Sequence, residues 1–182
     1  KPAPADALML KKLAPVEVAR VEGAWNVAFQ PGRGAPATAV LPQLAPLNQN
    51  AQAGIRYFSG VATYTRDIAA PKGWRAGQPL WLDLGQVNEM AEVLVNGRSA
   101  GVVWHAPYRV DIAALARAGA NHVEVRVANL WVNRLIGDAQ PEMQKPGAQK
   151  VTYTTMPTYR ADAPLRPSGL IGPVVLMGQG GK

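Results

Sequence analysis

The chain has no cysteine, and that one absence removes disulfides, thiolate metal sites and a thiol nucleophile together. It leaves the redox compartment open, because proteins of oxidising compartments can also lack cysteine. No apolar run approaches the roughly 18 residues that a spanning helix needs, so no membrane segment is expected. Acids are few: 12 Asp and Glu stand against 19 Lys and Arg, and charged residues make up only 17% of the chain. The excess of positive charge is scattered, its longest run being Lys11-Lys12. A solvated basic surface is therefore favoured over a phosphate-tracking patch, and no nucleic-acid partner is expected. Histidine occurs at only two positions, His105 and His122, which makes a weak metal case, and a glycine-rich phosphate loop is absent.

What is present in quantity is Gly and Pro, 18 and 16 residues respectively, a balance that suits many strands joined by irregular loops. The most ordered stretch runs from Val87 to Asp138. Val93 and Val95 alternate with polar neighbours, Asn96-Gly97 tolerates positive φ, and Val102-Val103-Trp104 returns, which predicts a hairpin. Tyr108 to Ile112 alternates as a third strand. His122 to Ala128 forms a fourth, with Val123, Val125 and Val127 on one face. These strands read as one antiparallel sheet whose apolar face needs a second layer.

The rest of the chain supplies it. Residues 1–15 carry three prolines without apolar periodicity and read as a linker rather than a signal peptide, leaving 16–182 as a single domain. Val21 to Gln30 is the first expected strand, with Trp25, Val27 and Phe29 on one face. Pro31 to Asn50 reads as loop. Ile55 to Ile68 reads as a long strand or a bulged pair with Gly60 as its bulge, and Leu80 to Leu84 as a short strand. Ile112 to Ala118 is the one helical candidate, closed by Gly119. Ala139 to Pro167 is aperiodic and rich in Pro, and Leu170 to Met177 is the last strand. The fold class that follows is all-β: an antiparallel β-sandwich of jelly-roll type.

Catalytic chemistry finds little purchase. Asp83, Glu89, Glu92, Asp111 and Glu124 sit at polar phases of strands or beside turns. Only Asp138 escapes that pattern, and Glu142 is its one nearby carboxyl, with nothing fixing their separation. No serine sits on a nucleophile elbow. A better signal is the crowding of polar and aromatic residues into aperiodic segments, since sugar sites combine flat aromatic faces with amide, guanidinium and carboxylate groups. Asn129, Trp131, Asn133, Arg134 and Asp138 offer that set as a cleft-facing, carbohydrate-binding group. Arg134 and Asp138 would bond hydroxyls, Asn133 would fix orientation, and Trp131 would offer a face or brace the loop. Trp104, His105 and Tyr108 are secondary candidates.

The ordered series F-S-G-V-A-T-Y-T, L-D-L-G-Q-V, A-E-V-L-V-N-G, G-V-V-W-H-A-P-Y-R-V-D-I, N-H-V-E-V-R-V-A-N-L-W-V-N-R-L-I-G-D and S-G-L-I-G-P-V-V-L resembles the sugar-binding jelly-roll domain of glycoside hydrolase family 2. More closely, it is similar to the carboxy-terminal, non-catalytic form of that domain in α-L-rhamnosidases of family 106. The likeness covers Gly23 to Met177. It implies a galactose-binding-like sandwich attached to a catalytic barrel outside this chain, with the catalytic carboxylates on that barrel. The implied role is an accessory module of a bacterial, periplasmic or secreted glycoside hydrolase. Its partners would be that barrel and a rhamnose-containing glycan. An autonomous lectin-like carbohydrate-binding module is the alternative. No cofactor and no metal ligand is expected, with a structural calcium ion left open because sandwich domains of this type hold one through loop carboxylates and carbonyls.

Overall fold

A computed structural model describes residues 14–156 and 158–179. In chain order its elements are β1 (Pro15–Arg20), β2 (Trp25–Phe29), β3 (Thr38–Leu41), α1 (Ala53–Arg56), β4 (Gly60–Ala69), β5 (Leu80–Asp83) and β6 (Gln86–Asn88). Then come β7 (Met90–Val95), β8 (Arg98–Val103), β9 (Arg109–Asp111), β10 (Ala120–Asn129), α2 (Val132–Asp138), β11 (Gly169–Gly172) and β12 (Val175–Gln179). A six-stranded sheet in the order β3-β2-β4-β10-β7-β8 faces a four-stranded sheet in the order β1-β12-β5-β9, and β11 pairs with β6 beside them. Every ladder is antiparallel. The expected all-β sandwich is therefore observed.

The period-two pattern decides which face is buried. Along β10, Val123, Val125 and Val127 point inward while His122 and Arg126 stay exposed, and β2 buries Trp25, Val27 and Phe29 in the same way. These side chains meet Leu80, Leu82, Val110 and Leu176 from the opposite sheet in one core. At about 1.5–3 kcal/mol for each large apolar side chain buried, slipping one strand by a single residue would forfeit several such contacts, so the register is fixed.

The Asn96-Gly97 hairpin forms as expected, with φ of 52° and 79° at the two turn residues. Asn96 does more than turn: its side-chain amide donates to Leu115 O and Asn121 Oδ1, and its Oδ1 accepts from His122 N. Asn121, buried, donates onward to the carbonyls of Arg117 and Gly119. This polar knot holds residues 112–118 as turns, so the expected helix there is replaced by a side-chain-braced corner.

Other expectations are corrected. β9, the expected third strand of the hairpin sheet, pairs with β5 in the opposite sheet, since Leu82 and Val110 are register partners. The first expected strand begins at Trp25, and β1 precedes it as an edge strand with Val16 and Val18 half-exposed. Only the end of the expected linker, Ala14 and Pro15, lies in the described residues, and Pro15 already pairs with Gln179. The loop after Pro31 contains β3. Ile55 to Ile68 divides into α1 and β4, and Gly60, at φ 118°, opens the strand rather than bulging it. The last strand divides into β11 and β12. Among the described residues no helix is long and apolar enough to cross a membrane.

Candidate functional site

The longest ladder in the fold, β4 with β10, sets Gly60 opposite Asn129 at one end of the six-stranded sheet. The chain leaves β10 there and turns into α2, which the sequence reading took as aperiodic. Val132, Leu135, Ile136 and Ala139 do in fact follow the i, i+3, i+4, i+7 spacing of one helical face. The sequence signal was present but short, and α2 carries no acid in its first turn and no side-chain cap.

Around α2 the sequence candidates gather, mostly facing inward. Asn129 donates from Nδ2 to Gly60 O at 3.0 Å and Val127 O at 3.1 Å. Ser59 Oγ donates to Leu130 O, which ties the segment before β4 to the exit of β10. Asn133 is buried and holds Arg166 from both sides of its amide: Nδ2 donates to Arg166 O at 2.7 Å, and Oδ1 accepts from Arg166 N at 2.8 Å. The side chain thus stands in for a neighbouring strand. Asp138, also buried, accepts at Oδ2 from Val151 N (3.0 Å), Thr152 N (2.7 Å) and Thr152 Oγ1 (2.7 Å). Its Oδ1 faces Arg134 Nη2 at 2.8 Å.

Packing closes Arg134 in. The space a Cβ would need at Gly34 lies 2.9 Å from Arg134 Nη1, and at Gly137 it lies 2.6 Å from both Arg134 Nη2 and Tyr57 Cβ. The Arg134 guanidinium carbon also lies 5.8 Å from the centre of the Tyr57 ring. Two loops and a helix therefore converge where only glycine leaves room for the guanidinium.

The cleft-facing expectation is corrected for Asn133 and Arg134, whose hydrogen-bonding groups are buried and turned toward the Arg166 backbone and Asp138; Asp138 is buried as well, but it lines a cleft beside α2. Trp131 is the surface member, 42% exposed, with the Arg33 guanidinium 4.5 Å above its ring. Of the secondary candidates, Trp104 is 67% exposed and packs edge-on against the His105 ring at 4.8 Å, and Tyr108 is half-buried. This second group follows β8. Glu142 is exposed in the short 3-10 helix after α2, Pro141–Gln144, whereas Asp138 is committed to Arg134 and Thr152. Among the described residues no three His, Asp or Glu side chains gather as metal ligands.

What the buried groups build is the wall of a cleft. Leu135, Asp138 and Ala139 form one side, and Lys150, 152–156 and 158–161 form the other, around an open groove of about 640 Å3. Asp138 fixes Thr152 in that wall, and Gln140 reaches across to donate to Ala161 O at 2.9 Å. Tyr153 stands on the rim, 93% exposed. The family resemblance pointed to this Pro-rich loop by its position before the last strands, but singled out no residue in it, because its hydroxyl-rich, Pro-flanked residues carry no periodic signal.

Comparison with known proteins agrees with this architecture. The chain resembles a rhamnosidase of Novosphingobium sp. PP1Y at 55% identity, with a TM-score of 0.87 over 97% of this chain and 16% of that one. It is 33% identical to a candidate β-glucuronidase of Formosa agariphila, over 84% of this chain and 15% of that protein. A β-D-glucuronidase of Dictyoglomus thermophilum shares the fold alone, with 19% identity and a TM-score of 0.60 over 90% of this chain and 28% of that one. The chain thus spans about a sixth of the length of the rhamnosidase it matches. The model of the glycosyl hydrolase 2 galactose-binding domain-like family matches residues 45–162, and the chain belongs to that family.

Proposed function

We propose that this chain is a non-catalytic accessory module of a bacterial, exported α-L-rhamnosidase, packed against a catalytic barrel that lies outside it. The observation that carries the reading is the 55% identity to the Novosphingobium rhamnosidase, sustained over nearly the whole chain. The chemistry is compatible. The buried acid of the α2 region is neutralised by Arg134, and Glu142 after it is exposed.

The outer face of the six-stranded sheet suits the barrel contact. Val61, Ala128 and Met90 are register neighbours across β4, β10 and β7; Trp104, just past β8, adds an exposed apolar side chain, and Val102 lies beside Glu92 in the next row. Met90, Val102 and Trp104 are 45%, 55% and 67% exposed. The next register row, Arg126 with Glu92, forms an ion pair at 3.3 Å, giving the apolar row a charged border. Apolar rows with polar rims are characteristic of interaction surfaces. In this reading Trp131 remains a solvent-facing aromatic, and Asn129, Asn133, Arg134 and Asp138 act by shaping the loops around it.

The test is hydrolysis of a chromogenic α-L-rhamnoside and the corresponding β-glucuronide. They are offered to the enzyme that carries this segment and to the 182-residue chain alone. Rhamnoside turnover by the whole enzyme with none by the chain is expected. Turnover by the chain alone, or a preference for the glucuronide, overturns the reading. An autonomous lectin-like module is the second reading, favoured by the open cleft beside α2.

A further inference from the structure

We propose that Asn96 is a deamidation site gated by folding, shut while the corner between β7 and β10 holds its side-chain amide and open when that corner parts.

Asn-Gly occurs once in the chain, at Asn96-Gly97, and every other asparagine is followed by a residue with a side chain. Glycine leaves the attacking nitrogen unshielded, and Gly97 is exposed to the water and hydroxide that the reaction needs. The Gly97 nitrogen attacks Asn96 Cγ and gives its proton to hydroxide. A C–N bond closes a succinimide ring as the Cγ–Nδ2 bond breaks and ammonia leaves. Water then opens the ring at either carbonyl, leaving a side-chain carboxylate or, where the chain now runs through Cγ, a free α-carboxylate.

The folded corner opposes the first step. Asn96 Nδ2 donates to Leu115 O at 3.0 Å and to Asn121 Oδ1 at 2.9 Å, and Asn96 Oδ1 accepts from His122 N at 3.1 Å. Attack makes Cγ tetrahedral and swings Nδ2 out of the amide plane, so partners on both sides of the group must be given up first. Asn121 is buried and does not follow, since its Oδ1 also accepts from Arg117 N and its Nδ2 donates to the carbonyls of Arg117 and Gly119. The same partners make the change lasting. A carboxylate at this position sets oxygen against Leu115 O and Asn121 Oδ1, both acceptors, so a corner that has opened and reacted does not close as before.

The experiment holds the 182-residue chain in mildly alkaline buffer, with and without guanidinium chloride, and follows the peptide carrying Asn96 by mass spectrometry and an isoaspartyl assay. In denaturant, conversion at Asn96 is expected ahead of every other asparagine. In the native chain it should run roughly a hundredfold slower, the scale of the hydrogen bonds given up before attack. Asn121→Ala withdraws one partner and should raise the native rate several-fold, with circular dichroism verifying its fold; if it does not fold, the comparison on the parent chain decides alone. Asn96→Asp should unfold at a lower denaturant concentration than the parent. Equal rates in native and denatured chains, another asparagine reacting first in denaturant, an unchanged native rate in folded Asn121→Ala, or parent-like stability in Asn96→Asp overturns the proposal.

Discussion

Arg134 Nη2 stands 2.8 Å from Asp138 Oδ1, one turn along α2, with side chains only 6% and 4% exposed. The approach falls off the hydrogen-bond direction: among the described residues Asp138 Oδ1 and Arg134 Nε have no hydrogen-bond partner. The pair is held by charge, and Asp138 Oδ2 is free to organise Val151 and Thr152. A buried charge keeps its place only while its counter-charge is present.

Asp138→Ala therefore strands the Arg134 guanidinium and frees two backbone amides. A loss of about 3–5 kcal/mol is expected in urea unfolding, the usual cost of breaking a buried pair from one side. The double variant Arg134→Met/Asp138→Ala is expected to cost less than the sum of the single changes, because no unpaired charge remains. A strictly additive pair would show that the two side chains do not depend on one another.

Gly169 is confined by its neighbours. At φ 87°, a Cβ there would lie 2.4 Å from Tyr64 Oη and 2.8 Å from Leu47 Cγ. Gly169→Ala should combine the backbone cost of a left-handed residue, about 1–2 kcal/mol, with overpacking of about 1–3 kcal/mol. At about 2–4 °C per kcal/mol for a domain of this size, Tm should fall by roughly 4–20 °C in a calorimetric scan. Gly97→Ala is the control: it has positive φ but nothing within 4 Å of the added carbon, and should lose only the backbone part.

Tyr64 is fully buried and accepts a hydrogen bond from Leu170 N at 3.2 Å. Burial disfavours the phenolate and pushes the Tyr64 phenol far above its ordinary value of 10.0, with the Leu170 amide opposing in part. The folded protein therefore keeps a proton that the unfolded chain releases above about pH 10. Stability is unaffected below that pH and falls above it, by about 1.4 kcal/mol per pH unit from this group. Tyr64→Phe should flatten that part of the alkaline fall in unfolding titrations, at the expense of the Leu170 hydrogen bond at neutral pH. An equally steep fall in the variant would assign it to other groups.

The all-β class and the hairpin could be read from the sequence because their determinants are local. Asn96-Gly97 sets the turn, and the valines of β10 declare their buried face by alternation. The partner of β9 could not be read, since its pairing with β5 joins Val110 to Leu82 across a gap in sequence that no period spans. β1 was missed because its valines are half-exposed on an edge. Around α2 the right residues were singled out for the wrong environment. Asn, Arg and Asp in an aperiodic run look solvent-facing, and nothing local reveals that Gly34, Tyr57 and the 150–152 strand of loop enclose them.

The sharpest contrast between a loop-shaping residue and a surface one lies in Asn133 and Trp131, two positions apart. Asn133→Leu removes both partners of the Arg166 backbone at a part-buried site, where water can replace some of what is lost, so the cost stays below the sum of two fully buried unsatisfied groups at about 1–3 kcal/mol each. The variant should lose stability by about 2–4 kcal/mol, and the Arg166 amide should lose its hydrogen-exchange protection. Trp131→Ala removes a half-exposed ring and its stacking with Arg33, worth about 0.5–1 kcal/mol at an exposed site, and should leave the Arg166 amide protected. If Arg166 stays protected in Asn133→Leu, the loop before β11 is held by something other than this amide, and Asn133 returns to consideration as a group available to ligand.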